Sequence, residues 1–167
     1  MPRRKPLPLA GLSQAIDELT TGPAVAPPTP YAPFVAAAQK PLELILARNF
    51  MSSLSTPAFL VDEEGMLVFY NEAAGKLLGR RFEEVGKMGP EEWGRAFGPL
   101  DANGRPMAFE ELPLTIALRN GRPAHSRFRI RSLDGGDHEI EVSAMPILTA
   151  EGARGAMAVF WSIGDWS

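Results

Sequence analysis

The chain has 167 residues, 45% of them hydrophobic and 22% charged, and a formal net charge of −3. That composition suits one globular domain with an extension, and the charge gives no electrostatic case for nucleic acid or an anionic membrane. There is no cysteine, which excludes disulfides, thiolate metal sites, a nucleophilic Cys and any thiol-linked chromophore, and fits a cytoplasmic setting.

The start, MPRRKPLPLAGLSQ, is basic, but its apolar run is broken by Pro6 and Pro8 and then by Gln14 and Asp17. It therefore lacks the core of a signal peptide, and no later stretch approaches the apolar length that spans a bilayer. Leu12 to Leu19 reads as a short helix capped by Ser13, with Ile16 and Leu19 on one side. Residues 21–33 then hold Gly22, Pro23, Pro27, Pro28, Pro30 and Pro33, which favours an extended tether. Residues 1–41 are accordingly assigned to an N-terminal extension and linker, and 42–165 to the domain.

From Phe34 the pattern turns helical, breaks at Pro41, and continues as LELILARNFMSSL. Leu42, Ile45, Leu46, Phe50 and Leu54 approximate an apolar stripe of helical period, with Glu43, Arg48 and Asn49 largely off it. Such a helix needs a partner surface. Two partners fit and do not exclude each other: the sheet of its own domain, or a second subunit docked through residues 42–54.

The rest of the domain is organised around the stretch Pro57 to Gly79. Phe59 and Val61 alternate with Leu60 and Asp62 as in a strand, Asp62-Glu63-Glu64-Gly65 supplies turn chemistry, and Leu67 to Tyr70 is a second strand, so the unit is a hairpin. Asn71 stands where a helix N-cap belongs, Ala73, Ala74, Leu77 and Leu78 give the helix an apolar side, and Gly79 ends it. Arg80 to Phe97 reads as short helices separated by glycines. Pro90 suits a first helical turn with Glu91 and Glu92 behind it, and Trp93 and Phe97, four apart, share one face. Gly98 to Pro106 is a loop, and a helix carrying Leu112, Leu114, Ile116, Ala117 and Leu118 stops at Asn120-Gly121.

Three strands close the chain. Ser126 to Arg131 sets Phe128 and Ile130 against the arginines, and His138 to Ala144 sets Ile140, Val142 and Ala144 against Glu139 and Glu141. With Asp134-Gly135-Gly136 as the turn, the expected register pairs Arg131 with Glu139, Arg129 with Glu141, Phe128 with Val142 and Ile130 with Ile140. Ala156 to Ile163 is apolar at nearly every position, as expected of a central strand buried on both faces.

The order resembles a PAS domain, the small sensor fold of signalling proteins. The first strand ending in Asp62, the turn at Gly65, the second strand ending in Asn71, and the helix ending Leu77-x-Gly79 match its opening. Asp101, Gly104 to Pro106, Glu111 to Leu114 and Gly121 to Pro123 match a loop and helix common in bacterial members. The resemblance covers about residues 42 to 165 and implies an α+β fold, a five-stranded antiparallel sheet of order 2-1-5-4-3 with short helices on one face and a flanking helix. Where members wired to an effector often finish Asp-Ile-Thr, this chain has Ser162-Ile163-Gly164 and stops at Ser167, which is read as a stand-alone sensor or a piece of a longer protein.

Chemistry is sparse. The sequence holds no P-loop, no dinucleotide fingerprint and no nucleophile, base and orienter set, and the adjacent carboxylates Glu91-Glu92 and Glu110-Glu111 read as solvated helix starts. The expectation is a binding module, not an enzyme, with no metal site. Flavin photochemistry of the LOV type and the yellow-protein chromophore both require a Cys that is absent. His125 and His138 are isolated near strand ends, and residues 109–120, where a PAS haem ligand often stands, contain no His, which argues against haem.

Residues expected inside the domain are Phe59, Val61, Tyr70, Ala74, Leu78, Leu114, Leu118, Phe128, Ile130, Val142 and Val159. They either line a cavity for a small apolar molecule or form a filled core. A fatty acid is the guest considered, with Tyr70 orienting its head and Arg119 or Arg122 receiving its carboxylate.

Overall fold

The computed structural model describes residues 41–165. The expected helix at Leu12 to Leu19, the proline-rich tether and the helical pattern from Phe34 lie outside the described residues.

Helix α1 runs Leu42–Ser52 and starts at Pro41, whose carbonyl accepts from the amides of Leu44 at 3.0 Å and Ile45 at 3.3 Å. Strands β1 (Ala58–Asp62) and β2 (Leu67–Tyr70) form the hairpin, followed by α2 (Glu72–Leu78), α3 (Phe82–Val85), α4 (Pro90–Phe97) and, after a 3₁₀ turn at Phe109–Glu111, α5 (Pro113–Asn120). The last three strands are β3 (Ala124–Arg131), β4 (Asp137–Thr149) and β5 (Gly152–Asp165). They complete a five-stranded antiparallel sheet of order β2-β1-β5-β4-β3. No helix among the described residues is long and apolar enough to cross a membrane.

The sheet carries an apolar layer on each face. On the inner face, Phe59 and Val61 of β1 and Ala156, Ala158 and Phe160 of β5 pack with α2, α4, α5 and the inward residues of β3 and β4. On the outer face, Ala58 and Leu60 of β1 pack under Leu44 and Met51 of α1, with Met157 and Val159 of β5 joining them. Strand β1 is therefore apolar at four consecutive positions because both of its faces are covered.

Gly155 marks how closely α1, β1 and β5 approach. A Cβ at that position would run into the Val61 carbonyl oxygen and sit 2.9 Å from Leu44 Cδ2.

Two expectations are corrected. Strand β5 is not buried on both faces along its length: Ala156, Ala158 and Phe160 are buried, but Trp161 and Ile163 are exposed. An 11-residue helix is about 16 Å long and a 14-residue strand reaches about 48 Å, so α1 can cover only part of β5.

The β3–β4 register is also two residues tighter than expected. It pairs Arg131 with Asp137, Ile130 with His138, Arg129 with Glu139, Phe128 with Ile140 and Arg127 with Glu141. A shift of two keeps every side chain on its face, so charge matching along the strands does not discriminate the two registers. The turn does. Ser132 N donates to Gly136 O at 2.7 Å, the Ser132 hydroxyl bonds Asp134, and Gly135 takes φ +95°, which closes a five-residue turn.

Candidate functional site: an apolar cavity beneath the sheet

The cavity lies between the inner face of the sheet and the helices. β1 supplies Phe59, α4 supplies Trp93 and Phe97, the start of α5 supplies Leu112, Pro113 and Leu114, and Pro99 comes from the loop between them. The sheet side is closed by Phe128 and Ile130 of β3, Ile140 and Val142 of β4, and Ala158 and Phe160 of β5. The volume is about 50 Å³.

Each element presents these side chains for a local reason. Helix α4 begins with Pro90 in its first turn, and Glu92 Oε2 accepts from Gly89 N at 3.3 Å, an arrangement that suits the open donors of a helix start. Its Trp93 and Phe97 then fall on one inward face. Trp93 Nε1 donates to Gly65 O at 3.1 Å, tying α4 to the β1–β2 turn. The Phe59 ring centre lies 5.5 Å from that of Phe97 and 5.0 Å from that of Phe160, the latter nearly edge-on at 75°, a favoured arrangement of aromatic rings.

Of the residues expected inside, Phe59, Leu114, Phe128, Ile130 and Val142 line the cavity. Val61, Tyr70, Ala74 and Leu78 are buried in the same inner core but do not line it. Leu118 is half-buried and faces a separate surface groove beside Gly65 and Ala153.

Val159 belongs to the outer layer under α1. A strand that is apolar at almost every position carries no alternation to set its phase, and its pairing decides it, Phe160 with inward Val142 and Val159 with outward Ala58. Trp93 and Phe97 share a face already visible from their spacing, whereas Pro99, Leu112, Pro113, Ala158 and Phe160 join the wall through long-range packing.

The polar anchors expected for a fatty acid are elsewhere. The Tyr70 hydroxyl donates to Arg80 O at 2.8 Å, and its ring, 5.4 Å from that of Phe82 and 5.6 Å from that of Phe59, packs behind the wall without lining it. Burial, followed by the nearby Glu83 and Glu84, pushes the Tyr70 pKa up to about 12. Arg119 faces Glu110 at 3.8 Å, and neither it nor Arg122 lines the cavity.

His125 Nε2 lies 2.9 Å from Glu141 Oε1, and His138 stands opposite Ile130 in the register; neither reaches the wall. Among the described residues no group of three or more His, Asp or Glu could hold a metal ion. The carboxylates of Glu92 and Glu111 accept from backbone amides at the starts of their own helical turns.

No family model matches the chain, and neither does any curated protein. Solved structures do. The PAS domain of a protein from Colwellia psychrerythraea aligns at TM-score 0.53 and 18% identity over 72% of this chain and 96% of that one. The fold is that of a PAS domain. The PAS domain of the fruit-fly ELK potassium channel aligns at TM-score 0.55 and 14% identity, over 75% and 98% of the two chains. A Rhodobacter sphaeroides LOV protein aligns at TM-score 0.59 and 16% identity, over 74% and 68%. Within this PAS fold the cavity lies beneath the sheet, and α1 covers the opposite, outer face.

Proposed function

We propose that residues 42–165 are a sensory PAS module that takes up a small apolar molecule in the cavity and relays the change through its sheet to α1. The observation that carries the reading is the alternation along two directly paired strands. In β1, Phe59 stands in the cavity wall while Ala58 and Leu60 lie under α1. In β5, Ala158 and Phe160 stand in the wall while Met157 and Val159 lie under α1. A wall that moves to admit a guest therefore moves the strands on which the helix rests, because packed interiors transmit displacement.

The far side of α1 supports an output role. Leu42, Ile45, Leu46 and Phe50 are 65, 43, 58 and 56% exposed on an 11-residue helix, a concentration of apolar surface characteristic of interaction sites. The partner in this reading is a second copy docked through residues 42–54. The setting is the bacterial cytoplasm, in keeping with the cysteine-free sequence, and the chain performs no catalytic step of its own. A fatty acid enters only if α4 carries Trp93 and Phe97 away from Phe59, since pockets for drug-sized guests measure roughly 300–1,000 Å³.

The same exposed helix face favours a second reading, a ligand-free module that acts through dimerisation alone. Native mass spectrometry of the full chain, followed by denaturing extraction, separates the two. The sensory reading expects a dimer that releases or takes up an apolar guest, and Leu46→Glu to give a monomer that still binds it. A dimer to which no apolar guest ever binds favours the second reading, and a monomer at high micromolar concentration removes helix pairing from both.

A further inference from the structure

The cavity's size and chemistry narrow its guest, an inference that rests on the sensory reading above. Among its wall residues only Trp93 has a polar side-chain atom, and its Nε1 is already engaged with Gly65 O at 3.1 Å. The Tyr70 hydroxyl, expected to orient a guest's polar head, is taken by Arg80 O at 2.8 Å. A water needs two to four polar partners, and an unpaired carboxylate is costly to strip of its hydration, so the side chains of this wall suit neither. An apolar protein cavity of roughly 150 Å³ stays dry and admits benzene. At about 50 Å³ this one is smaller.

We infer that the cavity is a site for a single apolar gas molecule, smaller than benzene and without a hydrogen-bonding group, of the class of dioxygen, xenon or a two-carbon hydrocarbon. Its affinity comes from dispersion against Phe59, Phe97, Phe128 and Phe160. Two residues set the size limit. Ala158 contributes only a methyl where a larger side chain would fill the space, and Leu114 forms part of the opposite wall.

Methyl-resolved NMR of the full chain under xenon pressure tests this. The methyl signals of Leu114, Ile130 and Val142 are expected to shift most and to saturate, with smaller shifts at Leu60 of β1 and Leu44 of α1, the path by which the sensory reading relays the change. Ala158→Leu, or the milder Ala158→Val, is expected to reduce the shifts at least several-fold, and Leu114→Ala to admit benzene that the wild type refuses.

Saturable wall shifts in the wild type with benzene or dodecanoate would overturn the size limit while leaving a sensory cavity for a larger guest. Xenon shifts that persist undiminished in folded Ala158→Val would overturn the assigned site. If xenon, benzene and dodecanoate all leave the wall methyls unmoved, the gas site and the cavity part of the sensory reading fall together.

Discussion

Asn71 holds more of this fold than its place as a helix cap suggests. Its Oδ1 accepts from Ala74 N and from Ala58 N, each at 3.0 Å. Its Nδ2 lies 2.8 Å from Thr56 O, 3.1 Å from Met51 O and 3.3 Å from Leu54 O. One buried amide thus joins α1, β1 and α2. The cap was legible, because it depends only on the next three residues; the carbonyls of Met51, Leu54 and Thr56 reach Asn71 only when the helix end folds back. Asn71→Ala strands several of these buried groups and is expected to cost about 3 kcal/mol in urea unfolding, where loss of a cap alone costs about 1.

Tyr70 gives a pH prediction. Its raised folded pKa means that the folded state holds the phenol proton more tightly than the unfolded chain does. The associated stability is fully present below the ordinary value near pH 10 and is lost as pH rises through about 12. An absorbance titration should show one tyrosine ionising late, and Tyr70→Phe should remove that step.

Among the elements, the β1–β5 pair is the critical joint. Ala58 pairs with Val159, Phe59 with Ala158 and Val61 with Ala156, so the two strands share both apolar layers. Gly155, opposite Asp62, keeps α1 seated on this joint. Gly155→Ala would press a methyl against the Val61 carbonyl and Leu44, and is expected to destabilise by about 3 kcal/mol, because the carbonyl belongs to a paired strand and cannot turn aside.

The helix pattern was legible only in part. Leu42, Ile45, Leu46 and Phe50 do form an apolar side, but the residues that seat α1 on the sheet are Leu44, Ala47, Met51 and Leu54. Apolar residues surround enough of this helix that periodicity alone does not say which side meets the sheet.

In the molecule as a unit, two surfaces face opposite ways from one sheet: an apolar cavity within and an open apolar helix face without. If the open face pairs two copies, the thermal midpoint of the full chain should rise with protein concentration, and Leu46→Glu should abolish that dependence. Calorimetry across a hundredfold concentration range would show it, and a midpoint independent of concentration would count against dimerisation. The exposed Trp161 and Ile163 continue the outer face of β5 beyond the reach of α1.

Local relations in the sequence were enough for the order of the elements, the turns at Gly65 and Gly135, the ends of α2 and α5, and the inward residues of β3 and β4. Each rests on residues a few positions apart: a cap with the next turn, a glycine with its own φ, or a two-residue alternation in a half-exposed strand. The β3–β4 register turned on how the five residues from Ser132 to Gly136 close, whereas the phase of β5, the seated side of α1 and the membership and size of the cavity were settled only by folding. Those depend on which distant surfaces meet and how closely, and several local patterns in this chain are compatible with more than one such meeting.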